Sequence, residues 1–338
     1  MTKFKNAIYI TLSSLILLSL GWFANDYYKA RLDKTHDLIS FVKNKPLEKY
    51  QIENLSKITP PSVDIQIEKE LESPDEFTSY LISFSFDPTL SGESEKKVTG
   101  LMNIPVSSDT NDKFPLVVLF RGYVDQKNYL TGVGSKRVGE YFAENGYITI
   151  SPDFLGYAGS DVEAENIFES RFQTYTTGLT LLASLGSIDN WNQEDVYIWG
   201  HSNGGQIAIT TLEISGLDYP TALWAPVTKP FPYSILYYTD VSDDRGKLIR
   251  RELSKFESDY DVEAYSLQNY ISNIKAPLQI HQGTMDDAVP IEWSLNFSKQ
   301  LENNDLNVDL VIHTGADHNL NPLWNYSINQ TLNFFESF

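Results

Sequence analysis

Gly200-His201-Ser202-Asn203-Gly204 directly follows the apolar run Val196-Tyr197-Ile198-Trp199. A strand that runs into Gly-x-Ser-x-Gly and then into a helix is the sequence form of a nucleophile elbow. On so sharp a turn the serine hydroxyl projects from the sheet edge, where it can attack an acyl carbon. Gly200 and Gly204 must be small because strand and helix pass closely there, and Gly205 adds another small residue at the helix start. The helix reads over Gln206–Leu212, and its N-terminus offers backbone N–H groups to a developing oxyanion. The bland alternative is a serine in an ordinary tight turn.

A serine hydroxyl is a poor nucleophile at neutral pH; it needs a base, usually histidine, and an acid that fixes the tautomer of that base. In a strand–elbow–helix architecture the chain order is Ser, acid, His. The chain has five histidines: His36, His201, His281, His313 and His318. The strand Pro277–His281 runs into Gly283-Thr284-Met285-Asp286-Asp287-Ala288-Val289-Pro290, which places Asp286 as the candidate acid and Asp287 as its reserve. Either could instead cap the helix that starts at Ile291. The strand Val308–His313 is followed by a loop that carries His318, the candidate base. His313 and His281 sit on strands and are expected to pack rather than react. The strand Phe114–Phe120 ends in Arg121-Gly122-Tyr123, so the oxyanion donors are read as the backbone N–H groups of Tyr123 and Asn203. Each candidate falls at the C-terminal end of a predicted strand, the edge where open parallel sheets bind ligands.

The stretches Val196–Gly205, Pro152–Ser160, Gly283–Pro290 and Gly315-Ala316-Asp317-His318 resemble the α/β-hydrolase fold. More narrowly, they are similar to the prolyl oligopeptidase-type serine peptidases and the dienelactone hydrolase-like enzymes. The resemblance covers about residues 95 to 338. It implies a mostly parallel sheet flanked by helices, and it implies that the first Asp of Gly-Thr-x-Asp-Asp, here Asp286, is the triad acid. Two departures stand out. Arg121-Gly122 replaces the usual His-Gly before the oxyanion donor, and no blade repeat of a β-propeller is visible. The resemblance therefore implies a serine hydrolase more firmly than peptide cleavage. A serine-type peptidase acting on short peptides is the leading expectation, a carboxylesterase the rival, and a non-catalytic surface-binding module the further alternative. No metal or cofactor is expected.

The elements that position these residues read as one α/β-hydrolase domain over 63–338. Thr78–Asp87 alternates with Tyr80, Ile82, Phe84 and Phe86 on one face, and Lys97–Ile104 reads as its antiparallel hairpin partner. Between the strand Thr221–Ala225 and Pro277 an insertion, about 226–276, reads as a small helical cap over the site. Tyr157 and the cap's Tyr233 and Tyr237 are candidates for a substrate pocket. Residues 35–62, with a charged run up to Tyr50 and Thr59-Pro60-Pro61-Ser62, read as a stalk. Residues 1–34 read as a membrane anchor with its flanks. Lys3 and Lys5 precede 18 uncharged residues, Ala7 to Ala24, just enough to span a bilayer as a helix. The expectation is a single-pass membrane protein with its body outside the cytoplasm; cleavage as a signal peptide and secretion is the alternative.

Composition narrows the partners. The chain has 338 residues, no cysteine and a net charge of −19. Residues 1–34 hold five Lys/Arg and two Asp/Glu, which leaves 21 against 43 in the rest, a net of −22. Such a surface repels nucleic acid and anionic lipid headgroups. Without cysteine there is no disulfide, thiolate metal site or cysteine nucleophile. Oligomeric state is not legible.

Overall fold

The computed structural model describes residues 44–338 apart from Glu93, Thr110, Asp240 and Val241. Nine strands of the described residues form one sheet: β1 (Gln66–Glu72), β2 (Phe77–Phe86), β3 (Lys96–Pro105), β4 (Phe114–Phe120), β5 (Ile148–Pro152), β6 (Trp191–His201), β7 (Thr221–Trp224), β8 (Leu278–Gly283) and β9 (Val308–His313). Their order is β1-β2-β3-β5-β4-β6-β7-β8-β9. The hairpin read from alternation is present: β2 and β3 pair antiparallel from Phe77 opposite Pro105 to Phe86 opposite Lys96. Antiparallel pairing continues from β3 to β5, and every later pair is parallel. The chain leaves β4 towards β5 on one side and returns as β6 on the other. That reversal opens a crevice beyond the strand ends, the usual ligand position in such sheets. The loop after β4 and the elbow after β6 both lie there.

Helices cover both faces: α1 (Ile52–Leu55), α2 (Lys136–Glu144), α3 (Ile167–Ser184), α4 (Asn203–Ser215), α5 (Tyr233–Tyr237), α6 (Lys247–Asp259), α7 (Ile291–Asn303) and α8 (Trp324–Phe335). The central strands are buried on both sides, as parallel strands under two helix layers must be. Val118, Phe120, Ile150 and Ile198 pack with α3 and α4 residues such as Phe172 and Ile207. On the other face Val117, Leu119, Tyr197 and Trp199 pack with Phe142 of α2 and Ile328 and Phe335 of α8. His281 and His313 are buried between strands and α8, stacked at 5.1 Å, with a ring-to-ring hydrogen bond of 2.8 Å. They pack, as their strand positions suggested. Among its described residues the insertion between β7 and β8 contains α5, α6 and the 3-10 turns Val262–Tyr265, Leu267–Asn269 and Ile271–Asn273.

The stalk reading of 35–62 needs correction from Leu47 onward, while residues 35–43 lie outside the described residues. Leu47–Phe338 is one compact unit, and Leu47, Tyr50, Ile52 and Leu55 lie in its core. The Tyr50 hydroxyl donates to Glu169 Oε1 at 3.0 Å. The Leu47 N–H donates to the Tyr260 hydroxyl at 3.2 Å, and the Tyr265 hydroxyl donates to the Leu47 carbonyl at 3.0 Å. Four apolar side chains amid the charges, not the charges, decide where this segment goes. Residues 7–24, read as the anchor, lie outside the described residues. Among the described residues no helix is long and apolar enough to cross a membrane.

Candidate active site

Ser202 sits between β6 and α4 with φ 54° and ψ −119°, a positive-φ conformation that non-glycine residues seldom adopt. The surrounding packing holds it there. The Ser202 N–H donates to the Trp224 carbonyl at 2.9 Å, and the Ser202 carbonyl accepts from the N–H groups of Gly205 and Val227, each at 3.0 Å. The elbow glycines have steric work. A Cβ on Gly204 would lie 1.9 Å from the Phe120 carbonyl oxygen, and one on Gly200 would lie 2.8 Å from that of Gly204. Gly122, after β4, comes within about a methyl group of the nucleophile: its Cβ would lie 3.1 Å from Ser202 Cβ.

Asp286 and His318 meet from adjacent loops. His318 Nδ1 donates to the Asp286 carboxylate, at 2.9 Å from Oδ2 and 3.0 Å from Oδ1. The carboxylate also accepts from the N–H groups of Ala288 and Val289, at 2.9 and 2.8 Å, and from Gln282 Nε2 at 2.9 Å. Burial alone would raise its pKa. The bonds from His318, Val289 and Ala288 outweigh that and hold the carboxyl below its ordinary value. Asp287, the reserve, faces solvent. Close packing of the two loops depends on Gly283, whose Cβ would fall 2.3 Å from the Ala316 carbonyl oxygen. Gln282 is a residue that sequence reading passed over. It is fully buried, and its amide is oriented by a 2.7 Å bond from Ser294 Oγ to Oε1. A glutamine inside a buried strand was the available signal.

His201 supports the base from below. Its Nε2–H donates to the His318 carbonyl at 3.0 Å. Burial, then proximity to His318, pushes its pKa down to about 4, so the ring is neutral and this tautomer is fixed at neutral pH. No hydrogen bond joins the Ser202 hydroxyl to His318 among the described residues, although both line one pocket. Catalytic bonds of this kind often close only around substrate.

Arg121 occupies the place of the usual histidine and is buried. Its guanidinium carbon lies 4.0 Å from the Tyr157 ring centroid and 4.4 Å from that of Tyr129, both stacking distances for a cation on a ring. Nη1 donates to the Gly122 carbonyl at 2.9 Å and Nη2 to the Asp153 carbonyl at 2.9 Å. The Gly122 carbonyl and the Tyr123 N–H belong to one planar peptide and point opposite ways. Holding the carbonyl therefore fixes the direction of the N–H.

The pocket over Ser202 has a volume of about 950 Å³. Tyr123, Asn203 and His318 line it, as do Ser234, Ile235 and Tyr238 from the cap. The tyrosines expected to line it do not. Tyr157 lies under Arg121 and donates to the Val124 carbonyl at 3.2 Å. Tyr233 and Tyr237 are half exposed, one turn apart on α5, with Tyr237 against Trp293 at 4.8 Å. The pocket face of that helix is the one bearing Ser234, Ile235 and Tyr238.

The fold and this site define a serine hydrolase of the α/β-hydrolase fold. The sequence pattern of the prolyl oligopeptidase family matches residues 135–337, more than half of the chain, and the chain belongs to that family. A curated relative from Paracoccidioides lutzii, described as a probable dipeptidyl-aminopeptidase B, is 28% identical over 236 residues. The match covers 64% of this chain but only 23% of that protein. Among solved structures, the acetyl xylan esterase from Paenibacillus sp. R4 aligns with a TM-score of 0.64 at 15% identity, covering 88% of this chain and 96% of that one. Acetyl xylan esterase 1 from Thermoanaerobacterium sp. JW/SL YS485 gives 0.60 at 14%, covering 87% and 94%. Porphyromonas gingivalis dipeptidyl peptidase 4 gives 0.52 at 16%, covering 80% and 43%. These structural likenesses concern the fold.

Proposed function

We propose that Ser202, Asp286 and His318 form the triad of a hydrolase that cleaves short peptides through an acyl-enzyme. His318 Nε2 takes the Ser202 proton as the hydroxyl attacks the acyl carbon, then gives it to the leaving group. Asp286 keeps the Nδ1 proton in place and stabilises the imidazolium. The Tyr123 and Asn203 N–H groups receive the oxyanion, each worth about 3–4 kcal/mol on removal. Water then releases the acyl group by the same steps. The observation that supports this most is the two-oxygen contact of His318 Nδ1 with a buried Asp286, in one pocket with a serine held at φ 54°. Peptide cleavage rests on family membership. An ester substrate is the second reading, favoured by the near full-length match to two esterases of similar size. A tether through residues 7–24, with the body outside the cytoplasm, is part of the proposal and rests on that uncharged run alone.

The test is intact mass after fluorophosphonate treatment, with Ser202→Ala beside the wild type. One adduct on the wild type alone is expected, and turnover should fall by about a millionfold in the variant. No adduct on either would sink the triad and favour the binding-module reading. Matched anilides and esters then separate the two bond types.

A further inference from the structure

We infer that Arg171 and Ser234 form a carboxylate-binding subsite in the Ser202 pocket, so that the substrate carries an anionic group beside the scissile bond. This rests on the hydrolase reading and narrows its substrate class.

Among the described residues Arg171 is the one Lys or Arg lining the pocket, and no Asp or Glu lines it. A lone cation in the working cavity of a chain with net charge −19 is an exception to its surface chemistry. Arg171 lies near the start of α3. Among the described residues its guanidinium makes one hydrogen bond, from Nη2 to Gln206 Oε1, and no ion pair. Gln206 is on the first turn of α4, four residues beyond Ser202, and its Nε2 donates to the Lys229 carbonyl at 3.3 Å. The guanidinium is thereby tied to the nucleophile's own helix.

Two residues of the pocket lining carry a buried donor that is unmet among the described residues. Among the described residues Arg171 Nε is buried with no partner, and so is the hydroxyl of Ser234, a residue only 2% exposed on α5. Unmet buried donors are costly, a guanidinium more than most. Arg121 Nε, Trp199 Nε1 and the hydroxyls of Thr180 and Thr211 are unmet as well, but those residues do not line the cavity that must receive substrate, whereas Arg171 and Ser234 do. A planar guanidinium fork matches a two-oxygen anion, and a hydroxyl lining the same pocket can supply a further donor. A carboxylate of a short peptide or of an acid ester has this chemistry, on either the acyl or the leaving side of the scissile bond.

The experiment uses the full chain and two pairs of activated esters. The acyl-side pair is p-nitrophenyl hydrogen glutarate against p-nitrophenyl butyrate. The leaving-side pair is 4-carboxyphenyl butyrate against phenyl butyrate. In one pair the wild type should favour the anion by about tenfold or more in kcat/KM. The ratio should fall towards unity in Arg171→Gln, through KM, and survive in part in Arg171→Lys, which keeps the charge without the fork. Ratios near unity in both wild-type pairs, or a preference untouched by Arg171→Gln, would overturn the subsite. Failure of the hydrolase reading looks different: no turnover and no fluorophosphonate adduct. Calorimetric binding of monomethyl glutarate against dimethyl glutarate then decides, with a wild-type preference for the anion that Arg171→Gln removes supporting the subsite and no preference overturning it.

Discussion

Glu213 offers a quantitative test of how this body is held together. It lies on α4, is 1% exposed, and neither carboxyl oxygen has a hydrogen-bond partner among the described residues. Burial alone pushes its pKa well above the ordinary carboxylate value. In the unfolded chain the same group gives up its proton near pH 4.3. Above that pH the folded state holds a proton that the unfolded state has lost. Stability therefore falls as pH rises, by about 1.4 kcal/mol per unit, until the buried group ionises. His201, His281 and His313 work the other way: burial lowers each of them, so they favour folding as pH rises through the unfolded histidine value. A comparison with Glu213→Met cancels the histidines, because both proteins contain them. Methionine keeps the length of the side chain and removes the buried polar group. The variant should gain on the wild type by about 1.4 kcal/mol for each pH unit above 5, or roughly 3 °C in melting temperature per unit for a body of this size. Urea unfolding at pH 5, 6, 7 and 8 and constant ionic strength measures the gap. A gap that stays constant with pH would refute the reasoning, because it would mean that Glu213 is ionised in the fold.

Three further outcomes are expected. Asp286→Asn should lower kcat by about 10⁴ through loss of the correct His318 tautomer. Because the native carboxyl is held low, its stabilising contribution, absent from the variant, should be lost in the wild type only as pH falls below the ordinary carboxylate range, seen by acid unfolding. Arg121→Met should reduce kcat by about tenfold or more with KM little changed, measured with any turned-over ester; a loss carried by KM would mean that Arg121 does not orient the Tyr123 peptide. Gly204→Ala should cost at least about 3 kcal/mol in thermal unfolding, because its methyl has the Phe120 carbonyl in its way.

Much of the architecture was legible because the chemistry demands local patterns. The strands Phe114–Phe120 and Val308–His313 were read with their observed bounds, since apolar runs closed by turns leave little freedom. The loops carrying Ser202, Asp286 and His318 followed from the strands read at Val196–Trp199, Pro277–His281 and Val308–His313. β1 was missed because Gln66–Glu72 is exposed throughout and carries charges, which blunt an edge strand and erase its alternation. α3 was missed for the opposite reason: buried residues run right around it, so no polar face marks its period. The pocket tyrosines were chosen by residue type, whereas the turn of α5 decides which side chains face Ser202. The role of Arg121 depends on Asp153, 32 residues away, and that of Gln282 on Ser294, 12 residues away on the next helix, and spacing along the chain does not carry that information.

The clasp at Leu47 bears on how this protein can be shortened. Leu47 is held on both its N–H and its carbonyl by Tyr260 and Tyr265, which follow α6 in the cap. The start of the body and the base of the cap are thus pinned at one point, although more than 200 residues separate them. A trimmed protein that begins at β1 would keep every residue assigned to the chemistry and still lose the pin that seats its lid. The place to start a shortened version is upstream of Leu47, however dispensable the charged run looks.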